Sequence, residues 1–374
     1  MLRDTLLEAY RKGEASHQSL PCRKARKTGH PLALAEHTEG EHFYHRLQGA
    51  TSVKVNYAAD SILAYAPKPG EQAHAFGSMI QEVPLMPPYP VLWLEWTNIM
   101  GEGYTEVPSV RSCGTLLEVF DASDAFLSDP ANLLATGQVV TPLNAVLHSI
   151  QAGLANHELR HDDPDPTEPY FRLMRWVVLV TSVCHLSKGP LRLSVRCLLS
   201  LTKEGLLADR VLYADSVLQA LKRSPHPQDR HDAEERWRIG EEMASYCVSI
   251  ASWACALMHC KNMVLPQRAV APAVQHGRHL DRKYPLTEYH VLTLDPLKTP
   301  SLARAHAAGL RVNDVRLHMA RGHFRTYGGE RPDGTARGLL FGKLAGTYWI
   351  PSQMRGHVEA GVIAKDYALG EQQQ

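Results

Sequence analysis

The chain has 374 residues, of which 44% are hydrophobic and 21% are charged, and its formal net charge is +1. This composition excludes an intrinsically disordered protein, and the length is enough for two or three domains with separate cores. No apolar run is long enough to cross a bilayer, and the charged N-terminal pattern MLRDTLLEAYRKG contains no apolar signal core. The sequence therefore predicts a cytoplasmic protein that makes no contact with a membrane.

The N-terminal region, residues 1–165, combines helical and strand patterns. Helical spacing of apolar residues runs from 42 to 66 and stops at the turn signal PKPGE. Two later stretches, VLWLEW and CGTLLEVFDAS, alternate as strands do and predict a small sheet. Glu82, Glu95 and Glu118 lie near these strands without the spacing of a metal site, so we expect them to be exposed at the edge of the sheet.

The central region, residues 166–275, is predicted to be a helical bundle. Its apolar runs are longer than those before them, and they are separated by Gly, Pro and acidic residues that are typical of helix boundaries. The four runs are YFRLMRWVVLVTSVCHL, GPLRLSVRCLLSLTKEGLL, DRVLYADSVLQALKR and GEEMASYCVSIASWACALMHCKN. The bundle is expected to bury Trp253 and the cysteines.

Metal-ligating residues occur in two local groups, and neither has the spacing of a known site. Cys255, His259 and Cys260 lack a second CxxC or HxxxH half. The acidic stretch 157–165 lacks the glycine and the terminal glutamate of a calcium loop. The seven cysteines include no close pair, which favours reduced thiols. We therefore predict that the protein holds no metal and no cofactor.

The C-terminal region, residues 276–374, changes to a period of two. Strand patterns separated by Gly, Pro and Asp turns cover 288–294, 314–327, 346–351 and 362–369, and the short connections favour an antiparallel sheet. The region has 14 Lys and Arg against 9 Asp and Glu, a balance of 14 − 9 = +5. Such an asymmetry indicates a polyanionic partner. The whole chain is thus predicted to be an α+β protein with a basic C-terminal module.

One stretch of this module, RGHFRTY, concentrates basic and aromatic side chains. Alternation along a strand places Arg321, His323, Arg325 and Tyr327 on one face, with successive members about 6.6 Å apart. Later segments add further basic and aromatic residues: Tyr348, Trp349, Arg355, His357 and Lys365. Cations interleaved with aromatic rings are typical of surfaces that bind RNA or single-stranded DNA. The alternative is a solvated sheet face with cross-strand Arg–acid pairs and the aromatic residues in the core.

Two other functions are compatible with the same residues. His323 is a candidate catalytic residue, acting as general acid or base towards a ribose 2′-OH while Arg321, Arg325 or Arg355 stabilises the phosphorane. Such a metal-independent ribonuclease would be similar in residue type to the bacterial toxins that cleave messenger RNA. The third possibility is a protein-interaction or structural role, such as an inhibitor of a host factor or a virion component.

The order of motifs in the C-terminal quarter provides a further comparison. RGHFRTY is followed by LLFGKLAGTYWIPSQMRGH and KDY, and PPYPVLWLEW lies far upstream. This arrangement resembles a family of uncharacterised bacteriophage and prophage proteins. The resemblance implies a phage or prophage origin and, with it, action in the host cytoplasm, but it implies no activity. The stretch GGERPDGTARG, which is longer than the resemblance implies, is expected to be a flexible insertion.

Overall fold

The computed structural model describes part of the chain, and these residues form two compact units. The described residues are 2–11, 43–65, 83–97, 110–121, 175–186, 189–214, 218, 221–222, 224–269, 274–276, 288–295, 316–320, 322–331, 333–351, 353–355 and 357–362. Unit 1 consists of Met1–His259 and Leu265–Thr293, and unit 2 consists of Cys260–Val264 and Leu294–Gln374. Predicted positions 363–369, Arg321 and Lys365 lie outside the described residues.

Helices and strands are numbered in chain order through the described residues. The helices are α1 (Leu2–Arg11), α2 (43–49), α3 (Asn56–Tyr65) and α4 (Pro227–Met258). The first strands are β1 (Thr51–Lys54), β2 (Val91–Thr97), β3 (Ser112–Asp121), β4 (Trp176–Leu186), β5 (Gly189–Arg192), β6 (Val195–Leu201) and β7 (Leu207–Ala214). The later ones are β8 (Met263–Val264), β9 (Gln267–Arg268), β10 (Tyr289–Val291), β11 (Thr293–Leu294), β12 (Arg316–Ala320), β13 (His323–Tyr327), β14 (Gly346–Ile350), β15 (Gln353–Arg355) and β16 (His357–Val362).

Unit 1 is built on one large mixed sheet. Eight strands lie in the order β7-β6-β4-β3-β2-β1-β10-β9, and the short β5 pairs with β4 beside this row. β1 runs parallel to β2 and β10, whereas the neighbouring pairs β2–β3, β3–β4, β4–β6 and β6–β7 are antiparallel. The predicted mixture of helix and strand is therefore confirmed, although the sheet is much larger than the small one expected.

The helical interpretation of the central region is wrong for 176–214, which forms β4 to β7. β4 contains Val177, Val178, Val180 and Val183, and β-branched side chains favour strands. Both faces of β4 and β6 are buried, so the alternation that marks a half-exposed strand is missing. A strand buried on both faces reads as a continuous apolar run, which periodicity alone cannot separate from a buried helix.

The predicted final helix of this region is confirmed as α4. It begins at Pro227, where the missing N–H of proline costs no hydrogen bond, and Asp229 lies in its first turn. Its second half is almost completely buried against the sheet. No helix in the described ranges is both long enough and apolar enough to span a membrane.

Helices cover both faces of the large sheet. On one face, Trp93 packs with residues of α1 and α2, including Leu6 and Leu47. On the other face, Trp96 contacts Tyr246 of α4, with ring centroids 6.5 Å apart. α3 joins α4 on this second face. The two faces differ because side chains alternate along a strand, and positions 93 and 96 have opposite parity.

Glu95 and Glu118 are buried rather than edge-exposed, because β2 and β3 lie in the middle of the sheet. Glu95 is 7% exposed and accepts hydrogen bonds from the backbone N–H groups of Leu2 (2.8 Å) and Arg3 (3.2 Å). Its carboxylate therefore satisfies the first amides of α1, where a negative charge is favourable. Glu118 is 1% exposed and forms an ion pair with Arg46, N–O distance 2.7 Å.

Unit 2 contains a three-stranded sheet, β15-β12-β16, and a separate pair, β13-β14. The predicted single strand 314–327 is thus two strands with different partners. The break includes Gly322, where an added Cβ would lie 2.7 Å from the ring of Trp349. Only glycine allows so close an approach. β12 is antiparallel to β15 but parallel to β16, so the expected purely antiparallel sheet is also corrected.

Candidate functional site

The β13–β14 pair carries most of the described site residues that the sequence predicts. The two strands are antiparallel and fully in register, from His323 opposite Ile350 to Tyr327 opposite Gly346. The antiparallel arrangement expected for the C-terminal strands is therefore present between His323–Tyr327 and Gly346–Ile350. Near the middle of the pair the hydroxyls of Thr326 and Thr347 hydrogen-bond across the strands at 2.9 Å. This register determines which side chains share a face of the pair, because directly opposite residues point to the same side and neighbours along a strand point to opposite sides.

One face of the pair carries two aromatic rings beside the Thr326–Thr347 hydroxyl pair. Phe324 lies directly opposite Trp349, and the ring centroids are 5.0 Å apart. Trp349 is only 2% exposed. An indole this buried cannot stack on a nucleic acid base, so the predicted role of Trp349 as an exposed stacking surface is wrong. Its size and burial show that it forms the core beneath the pair instead.

The other face carries His323, Arg325 and Tyr327, as alternation predicts. Arg325 is exposed, and its guanidinium carbon lies 5.0 Å from the centre of the Tyr327 ring. The Tyr327 ring in turn meets Tyr348 edge-on, with centroids 5.9 Å apart. Tyr348 is only 6% exposed, which corrects its predicted role as an exposed surface. Tyr348 supports Tyr327, and Tyr327 supports Arg325.

A second cation reaches this region from a distant part of the sequence. The backbone N–H of Lys261 donates to the carbonyl of Thr347 at 2.9 Å. An added Cβ at Gly346, the residue opposite Tyr327, would lie 2.9 Å from Cγ of Lys261. The lysine stem therefore passes over this glycine, and the lysine itself is exposed. Sequence reasoning missed Lys261 because 85 positions separate it from Gly346 and no local pattern connects them.

The described residues of the connection between the two strands, which is the expected flexible insertion, form turns with internal hydrogen bonds. Glu330 and Ala336 form an isolated bridge, and Arg331 N–H donates to the carbonyl of Thr335 at 2.8 Å. The carboxylate of Asp333 accepts from the hydroxyl and the backbone N–H of Thr335, and these hydrogen bonds lower the pKa of Asp333. The following segment exposes three apolar side chains: Leu339, Phe341 and Leu344.

The remaining predicted residues do not join the β13–β14 face in the described residues. Arg355 lies in β15 opposite His318 of β12, and His357 lies in β16 opposite Arg316. Two arginines and two histidines thus occupy neighbouring backbone positions in the three-stranded sheet. Arg355 and His357 therefore belong to a different sheet from β13, whereas His323, Arg325 and Tyr327, the described members of the predicted row, stay together on β13.

Comparisons with known proteins add no assignment to this geometry: no family model, no curated protein and no solved structure matches the chain. The functional interpretation depends on the described residues themselves.

Proposed function

We propose that unit 2 binds single-stranded nucleic acid, RNA or single-stranded DNA, through the face of the β13–β14 pair that carries Arg325 and Tyr327. The observation that supports this proposal most directly is the exposed Arg325 guanidinium held over the Tyr327 ring at 5.0 Å. A guanidinium stacked on a ring keeps its N–H donors in one plane. Its outer face is then available to a nucleic acid base, and its edge to a phosphate.

The charge around this face supports a polyanionic ligand. The count covers residues 322–350 and Lys261, which reaches this region from outside it. The cations are Lys261, Arg325, Arg331, Arg337 and Lys343, and the acids are Glu330 and Asp333. The balance is 5 − 2 = +3. Guanidinium groups do not lose their charge at any pH at which the protein is folded, so the attraction for phosphates is permanent.

Binding is tested with the full-length protein and fluorescently labelled oligo(U) and oligo(dT) of about 15 nucleotides, a length that suits a small single-strand site. Fluorescence anisotropy is measured at several salt concentrations. We expect the logarithm of the affinity to fall linearly with the logarithm of the salt concentration, because bound cations release counterions from the nucleic acid. Absent or salt-independent binding by the wild type would overturn the proposal and leave the protein-interaction function.

Arg325→Ala tests the site itself. One lost phosphate contact should weaken binding and reduce the steepness of the salt dependence by about 0.7. The matched control is Lys222→Ala, because Lys222 in unit 1 also holds its cation over a ring, 4.3 Å from the centre of Trp237. Lys222 is exposed as Arg325 is, but it lies outside the proposed face. An equal loss in both variants would mean that binding depends on total charge and would contradict the proposed site.

A further inference from the structure

Three cysteines that are far apart in the sequence converge in the core of unit 1. Cys113 lies on β3, Cys184 lies directly opposite on β4, and Cys247 approaches from α4. Their three sulfur atoms are all within 4.8 Å of one another, and those of Cys113 and Cys184 are 3.9 Å apart. Among the described residues this is the one group whose ligand atoms are close enough to hold a metal ion.

These three thiols differ chemically from the other buried thiols of the protein. Burial alone raises the pKa of Cys255 and that of Cys260 to about 12, so both stay protonated. In the cluster, hydrogen bonds among the thiols lower the pKa of Cys184 and raise the pKa of Cys113, and the hydrogen bond with Cys184 together with burial raises the pKa of Cys247. The thiolate, rather than the thiol, is the form that binds metal ions. Metal binding would release the remaining thiol protons, and the mutual contact of three sulfur atoms is what distinguishes this cluster from Cys255 and Cys260.

We propose that Cys113, Cys184 and Cys247 form a binding site for a thiophilic metal ion, zinc or copper(I). A set of three sulfurs without oxygen ligands selects these soft ions over magnesium or calcium. A zinc–sulfur bond of about 2.3 Å in tetrahedral geometry places its sulfurs about 3.8 Å apart. The Cys113–Cys184 separation of 3.9 Å already fits this value. The other two separations need to close by less than about 1 Å to reach the same tetrahedral value.

The surroundings of the cluster match those of a structural metal site. The three cysteines come from two adjacent strands and the helix that covers them, so one ion would tie α4 to the sheet. Trp96 is directly opposite Cys113 on β2, and its buried indole N–H has no hydrogen-bond partner in the described part of the chain. A thiolate sulfur accepts such hydrogen bonds, and a donor of this kind orients a metal ligand without binding the metal itself.

The test uses the full-length protein, because burial of the thiols means that metal enters as the chain folds. The protein is produced in separate cultures supplemented with zinc, copper or cobalt and is purified under reducing conditions. Elemental analysis by mass spectrometry should find one zinc or one copper ion per chain. The cobalt protein should show the sulfur-to-cobalt charge-transfer absorption, which reports thiolate coordination directly. Metal-free protein from all three cultures would overturn the proposal.

Single variants assign the ligands. Cys113→Ala, Cys184→Ala and Cys247→Ala should each lose the bound metal and the cobalt charge-transfer band. Cys255→Ala is the matched control, since Cys255 is also fully buried on α4 but is not in the cluster, and it should keep both. If a variant does not fold, the wild-type charge-transfer band still decides whether sulfur binds the ion. Finding a disulfide between Cys113 and Cys184 in metal-free protein would overturn the metal site and assign the two cysteines as a redox pair instead.

Discussion

The side-chain amide of Asn262 hydrogen-bonds both backbone polar groups of Trp349. The Trp349 N–H donates to Oδ1 of Asn262 at 3.0 Å, and Nδ2 of Asn262 donates to the Trp349 carbonyl at 2.7 Å. The Asn262 side chain thus makes the two hydrogen bonds that a neighbouring strand would otherwise make with β14. The backbone N–H of Asp295 donates to the carbonyl of Asn262 at 2.8 Å, which holds Asn262 in place. These hydrogen bonds position β14, and with it the proposed binding face.

Asn262→Ala should destabilise unit 2. Asn262 is buried, so the variant removes two buried hydrogen bonds from the Trp349 backbone. The expected loss is about 1–3 kcal/mol, since each of the two hydrogen bonds contributes about 0.5–1.5 kcal/mol. Urea unfolding of the full-length protein measures it. Gln267→Ala is the control, because that exposed amide also hydrogen-bonds a side chain, Glu288, yet should change stability by less than about 0.5 kcal/mol. Equal stabilities of the two variants would contradict the structural role of Asn262.

Gly240→Ala should destabilise unit 1, although alanine is the better helix former by about 1 kcal/mol. Gly240 lies inside α4 at its closest approach to β6, and an added Cβ would be 2.7 Å from Cγ2 of Val195. Because this atom belongs to a short β-branched side chain in a packed core, we expect a net loss of about 1–3 kcal/mol. The loss is read from the urea midpoint with the slope of the transition unchanged.

The double variant Gly240→Ala/Val195→Ala separates the clash from any general effect on the helix. Val195→Ala alone should destabilise by leaving a cavity, and the added methyl at position 240 should partly fill it. The combined loss should therefore be smaller than the sum of the two single losses by about 1 kcal/mol or more. Additive losses would show that the close approach of α4 to β6 does not determine the preference for glycine.

The sequence predicts those elements whose burial pattern is visible along the chain. β2, β3, β13 and β14 alternate or end at clear turn signals, and α4 begins at Pro227 after a loop rich in polar residues. For β4 and β6 the sequence predicts helices, because both faces of these strands are covered and the period of two is therefore missing. Whether a strand is central depends on which other elements pair with it, and that information is not local. The burial of Glu95 and Glu118 was missed for the same reason.

The candidate site shows the same limit. The alternation of Arg325 and Tyr327 on one face follows from local periodicity, and the structure agrees with it. Lys261 and Asn262 reach β14 from a turn that is distant in the sequence, so no spacing rule could find them. The burial of Trp349 depends on that turn as well as on Phe324. The cysteine cluster was also invisible, because its members lie on three separate elements and no two of them have a metal-site spacing.

His323 distinguishes binding from cleavage. It lies on the same face of β13 as Arg325 and is half-buried. His323→Ala should leave the affinity for oligo(U) within about twofold, since the proposed contacts to phosphate and base come from Arg325 and Tyr327. Any cleavage of RNA by the wild type should fall about a hundredfold or more in this variant, as expected when a general acid or base is lost. A gel of end-labelled RNA measures the product, and DNA, which lacks the 2′-OH, is the control substrate. Unchanged cleavage would exclude His323 from catalysis.

Tyr327→Leu and Tyr327→Phe together test whether the ring, rather than the phenol hydroxyl, organises the proposed face. Leucine removes both the platform beneath the Arg325 guanidinium and the edge-on contact with Tyr348, while phenylalanine keeps the ring that makes them. Loss of one stacked base costs about 1–3 kcal/mol, so the leucine variant should bind oligo(U) about 5- to 150-fold more weakly. The phenylalanine variant should stay within about twofold of the wild type, because the cation–ring attraction depends on the ring face. Fluorescence anisotropy gives the affinities, and circular dichroism melting verifies that both variants fold. Equal weakening in the two variants would assign the contribution to the hydroxyl and contradict the stacked arrangement of Arg325 on Tyr327 as the basis of binding.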